Sequence, residues 1–114
     1  RNLNLRITTM QDQLNKMLTE AIKCQDPYLE QPVDLSRGRD AKLYAEGGQL
    51  DSLSLVTIIA DLEENIFKNL GVRLQLANER DLGVENSPFN TFGRMVDYIE
   101  ARVREAKQKS GEVA

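Results

Sequence analysis

Apolar residues return at steps of three and four through Ile7, Met10, Leu14, Met17, Leu18 and Ala21, the rhythm of a helix with one buried stripe. Thr8 with Gln11, or Thr9 with Asp12, closes its start by side-chain to backbone hydrogen bonds. This predicts a first helix over about residues 9–24, stopped ahead of Pro27, whose ring disfavours a helical residue before it. A second run starts behind Asp51 and Ser52, two good N-cap residues. Its expected stripe is Leu53 or Leu55, Val56, Ile59, Leu62, Ile66 and Leu70, with Gly71 as the stop. A third helix, capped by Asn90 or Thr91, carries Phe92, Met95, Val96, Ile99 and Val103 on one face. Gly93 inside it costs about 1 kcal/mol relative to Ala. Beyond Val103 the chain turns polar, and the helix is predicted to fray by Lys109.

The segments between these runs read differently. Residues 25–50 carry Pro27, Pro32, Gly38, Gly47 and Gly48, with Leu35, Leu43 and Tyr44 as the expected core anchors. So long a connection points to a function or to a short helix, placed around Asp40 to Glu46. Val72 to Leu76 alternates as a strand would, but no second convincing strand pairs with it, and it is read as an extended segment packed on helices. Asn78 is expected to cap a single turn from Glu79 to Leu82, closed by Gly83, and Ser87-Pro88 marks another turn. The pattern predicts an all-α fold: a four-helix bundle with three long helices, one short third helix and a long first connection. A chain of 114 residues suits one domain. Residues 1–7 and 108–114 are expected to be flexible tails.

Charge narrows the function classes. Eighteen acids against fifteen bases give a net charge of -3, the wrong sign for generic attraction to nucleic-acid phosphates. With no His, a Ser-His-Asp or Cys-His nucleophilic site and imidazole metal ligation are excluded. Cys24 cannot pair within the chain and suits a reducing compartment, so a cytoplasmic protein is expected. No apolar run is long enough for a membrane span, and the first residues lack the apolar block of a signal peptide. Met10, Met17 and Met95 lie on apolar stripes as core filler. Glu63-Glu64 point in different directions from one helix and suggest no metal site.

Candidate chemistry gathers at the second helix. The segment from Gly47 to Val56 sets Ser52 at the first turn of an acidic amphipathic helix behind a Gly-rich approach. Unpaired N–H groups there favour a phosphate ester on that serine. The plainer reading is that Ser52 or Asp51 only caps the helix. Residues 51–90 hold seven acids against Lys68, Arg73 and Arg80, whereas 1–50 balance at seven of each sign. Acidity concentrated behind Ser52 suits a surface steered toward a basic partner, and it also suits a solvated face.

Asp51-Ser52-Leu53, then Val56, then Leu62-Glu63-Glu64, and finally Phe92 to Asp97-Tyr98-Ile99 together resemble an acyl carrier protein. The likeness spans about residues 9–104 and is most specific around 50–64. It implies that Ser52 bears a covalent 4'-phosphopantetheine, flanked by Asp51 and Leu53, and that Leu55, Val56, Asp61, Glu63 and Glu64 meet partners. It also implies a carrier that is not an enzyme. Its partners would be a phosphopantetheinyl transferase, an acyl- or aminoacyl-adenylating ligase, and condensing or acyltransferase enzymes of fatty-acid, lipid or secondary metabolism. The carrier is expected to be a monomer with no nucleic-acid partner and no membrane insertion. Leu74 to Glu79 followed by Ser87-Pro88-Phe89 looks more like a standalone, specialised carrier subgroup. Ser54, Leu55 and Thr57 stand where acidic or polar residues are common in the family, and Gln49-Leu50 add one residue to the usual spacing after Gly48. The alternative reading is an unmodified helical interaction module with an acidic docking helix.

Overall fold

The computed structural model describes residues 9–76 and 87–113. Among them are three α-helices and no β-strand: α1 over Met10–Gln25, α2 over Ser52–Leu70 and α3 over Phe92–Val113. The fold is all-α to this extent. The short third helix expected from Glu79 to Leu82, with its cap Asn78 and closing Gly83, lies outside the described residues. None of the helices found among the described residues is long and apolar enough to cross a membrane.

Each helix starts where its side chains satisfy orphan N–H groups. Thr9, not Thr8, caps α1: its hydroxyl accepts the Asp12 N–H at 3.0 Å, and the Asp12 carboxylate accepts the Thr9 N–H at 3.3 Å. The helix buries Leu14, Leu18, Ala21 and Ile22 and yields to a 3-10 turn, Asp26–Tyr28, that begins around Pro27. Helix α3 buries the expected stripe of Phe92, Met95, Val96, Ile99 and Val103. It does not fray at Lys109, and its backbone stays helical to Val113. The residues beyond Val103 are largely Arg, Glu, Ala, Lys and Gln, all good helix formers, which accounts for a helix that continues past Lys109.

The first connection departs most from the sequence reading. Instead of a helix from Asp40 to Glu46, a 3-10 turn covers Gly38–Asp40, and the chain then runs extended. Residues 41–44 lie antiparallel to 89–92: Phe92 N–H donates to Ala41 C=O at 2.9 Å, Leu43 N–H to Asn90 C=O at 2.9 Å, and Tyr44 N–H to Phe89 C=O at 3.1 Å. Val33, Ala41, Leu43, Tyr44 and Leu50 are all buried, while Leu35 is partly so. Residues 25–50 therefore form part of the core. Gly48 is dictated by a close approach, because a Cβ there would sit 2.0 Å from the Leu43 carbonyl oxygen.

Gly71, in the left-handed region at φ 70°, ends α2 and returns its N–H to Phe67 C=O at 3.0 Å. The extended segment that follows packs as expected, burying Val72 and Leu76. Both backbone groups of Leu76 are held by helix side chains: its N–H donates to Glu63 at 2.7 Å, and its carbonyl accepts from the Tyr98 hydroxyl at 3.4 Å. The Tyr98 ring stands edge-on to buried Phe89, with centroids 5.5 Å apart.

Candidate functional site

The start of α2 separates two jobs that the sequence left undivided. Asp51 is the N-cap, accepting the Ser54 N–H at 2.8 Å and the Ser54 hydroxyl at 2.7 Å on the same carboxylate oxygen. These bonds, the backbone one first, hold the Asp51 carboxyl below the usual carboxylate range. Ser54 is buried and serves the cap. Ser52 is then the first helical residue, exposed, and its hydroxyl has no hydrogen-bond partner among the described residues. Because Asp51 is the cap, the Ser52 side chain is left available to chemistry.

Around that hydroxyl the helix turns apolar residues outward. Leu53 is 75% exposed and Val56 40%, and Leu53, Val56, Ala60, Glu64 and Phe67 follow at steps of three and four on the outer face. The inner face is Leu55, Ile58, Ile59, Leu62 and Ile66. Two sequence expectations are corrected here. Val56 is not in the core stripe, and Leu55, at 0% exposure, is a core residue that presents nothing to a partner. Helix α1 packs against α2, whose buried face holds Leu55, Ile58, Ile59, Leu62 and Ile66, while Leu53 and Val56 are left to solvent.

The three acids expected to meet partners do not share one environment. Glu64 is exposed and sits 3.4 Å from Lys68. Asp61 is half-buried. Glu63 is half-buried and holds the Leu76 N–H, so one of its oxygens is committed to the fold. Phe67 was missed by the sequence reading. It is 44% exposed, with the Arg73 guanidinium 4.3 Å from its ring centroid. Its place off the Ile59, Leu62, Ile66 stripe was the available signal.

No family model, curated protein or solved structure matches the chain. The chemistry of the site rests on its own geometry. Ser52 lies at the positive end of a 19-residue helix, which favours an anion bonded to it. The chain has no His, and the carboxylate beside Ser52 in sequence, Asp51, is held in its ionised form and occupied by Ser54. Among the described residues the Ser52 hydroxyl has no hydrogen-bond partner that would take its proton.

Proposed function

We propose that this protein is an acyl carrier, with a 4'-phosphopantetheine joined to Ser52, and that its fold is the four-helix carrier bundle with a short third helix. The observation that carries this reading is the exposed, uncommitted Ser52 hydroxyl at the first position of α2, relieved of capping duty by Asp51. The outward Leu53 and Val56 support it as contacts for an enzyme approaching that hydroxyl.

In the attachment step the Ser52 oxygen bonds to the pantetheine-side phosphorus of coenzyme A. The pyrophosphate P–O bond breaks, 3',5'-ADP leaves, and the serine proton passes to a base on the transferase. Once attached, the arm supplies a thiol that holds acyl or aminoacyl groups as thioesters and presents them at high local concentration. The role of this chain is positioning: Asp51 and Ser54 fix the first turn, Leu53 and Val56 offer apolar contact, and Glu64 adds negative charge that steers a basic partner. The protein itself is a substrate, cytoplasmic and monomeric, for a transferase, an adenylating ligase and condensing or acyltransferase enzymes.

The test is intact mass after incubation with coenzyme A and a broad-specificity phosphopantetheinyl transferase. The wild-type chain is expected to gain one phosphopantetheine, and Ser52→Ala none. Absence of a gain in folded wild-type protein, with the transferase active on a control carrier and a native transferase also tried, would leave the unmodified docking module as the better reading.

A further inference from the structure

We infer that the open pocket lined by the first connection is a resting site for the pantetheine chain carried on Ser52; this rests on the carrier reading above. The pocket has a volume of about 330 Å³ and is lined by Gln31, Asp34, Arg37, Asp40, Lys42 and Gln49, with Pro32 and Gly47 completing the wall. Its lining is more polar than apolar. Arg37 and Lys42 make no salt bridge within 4 Å among the described residues, and Asp34 accepts from Ser36, through its N–H at 2.9 Å and through its side chain. Two cations, two carboxylates and two carboxamides thus line one space.

The position of the pocket matches its chemistry. Gln49 in its wall is three residues from Ser52, which limits their Cα separation to about 11 Å. Leu50 N–H donates to Leu43 C=O at 3.4 Å, which draws the extended segment carrying Lys42 alongside the approach to α2. A phosphopantetheine presents one phosphodiester charge, a hydroxyl and two amides. The cations and carboxamides suit its oxygens, and Asp34 and Asp40 suit its O–H and N–H groups. A second groove beside α2, lined by Ala60, Glu63, Glu64, Phe67, Arg73 and Leu74, is a poorer host for this chain. Two of its groups are carboxylates, and its one cation already lies over Phe67. The wall residues come from the long connection, whose added length before Asp51 thereby gains a use.

The test compares nitrogen–proton spectra of apo and holo protein, using samples whose intact mass shows complete loading. Backbone signals of Lys42, Gly47 and Gln49 and the side-chain amides of Gln31 and Gln49 are expected to move. Those carboxamides are also expected to show cross-relaxation to the geminal methyls of the arm. In Arg37→Gln/Lys42→Gln, checked to keep the apo spectrum elsewhere, the cross-relaxation should fall by half or more. Complete loading with shifts confined to residues 51–54 would overturn the resting site and leave the carrier reading standing, as would undiminished contacts in the double variant. Failure to load at all, against an active control, would remove both.

Discussion

Leu53 and Leu55 stand two residues apart on one helix, yet the first is 75% exposed and the second not at all. The first connection shows the opposite displacement. Read as a loop, it sends Val33, Ala41, Leu43, Tyr44 and Leu50 inside. The stretch that looks most like core therefore opens to solvent beside Ser52, and the stretch that looks most like linker builds the wall behind it. Hydrophobicity chose neither outcome. Helix α2 turns one face into the core, and the connection, pinned to 89–92 by three backbone bonds, adds its own apolar side chains to that same core.

The largest expected effect separates the two leucines. Leu55→Ala should cost about 3 kcal/mol, within the usual range for a fully buried leucine, and Leu43→Ala should cost about as much. Leu53→Ala should stay within about 0.5 kcal/mol. Urea unfolding of the three variants against wild type measures this directly. Similar losses at 53 and 55 would mean that both faces of α2 are covered in solution, and the docking role of Leu53 would go with the distinction.

A smaller effect sharpens the view of the connection as core. Gly48→Ala places a Cβ 2.0 Å from the Leu43 carbonyl oxygen and 3.1 Å from that of Ala45. Because both obstacles are backbone, the turn must shift, at a cost of about 1–3 kcal/mol. Unchanged thermal stability in Gly48→Ala would show that the turn yields freely and that the wall it builds is soft.

The three long helices and their caps were legible because periodicity and capping are local: Thr9 with Asp12, Asp51 ahead of Ser52, and the stripe from Phe92 to Val103 all hold. Ser52 was legible as one of two possible caps, and the hydrogen bonds of Asp51 to Ser54 are what assign the cap to its neighbour. What stayed hidden depends on partners distant in sequence. Four apolar residues crowd positions 53–58 outside Ser54 and Thr57, so a 3.6-residue period admits more than one stripe, and only tertiary packing decides between Leu55 and Val56. Glu63 reads as a surface acid until Leu76, thirteen residues on, donates to it. Gly93 reads as a tolerated weakness, but the Arg39 side chain lies 2.8 Å from where its Cβ would be, held there by the Asp97 carboxylate at 2.6 Å. The pocket draws its charges from residues 34–42 and its carboxamides from Gln31 and Gln49, a grouping that no spacing rule gathers.

The smallest predicted effect concerns how the outward face is kept in place. Asp51 holds the first turn through Ser54, and the carboxyl sits below its ordinary range because those bonds favour the ionised form. An unfolded Asp titrates near pH ~3.9, so between that value and the lower folded one the unfolded chain binds more protons, and stability rises with pH. The contribution is full above the unfolded pKa and is lost as pH falls through the folded one. Asp51→Asn keeps an acceptor for the Ser54 N–H but removes the titration. The stability difference between wild type and variant should be level at neutral pH and should shrink below about pH 4. Asp34 and Glu100, whose carboxyls also sit low, are present in both proteins and cancel in the difference. A difference constant from pH 7 down to about pH 2 would mean that ionised Asp51 does not brace the turn. The Ser52 hydroxyl would then owe its availability to something other than the division of labour with its neighbour.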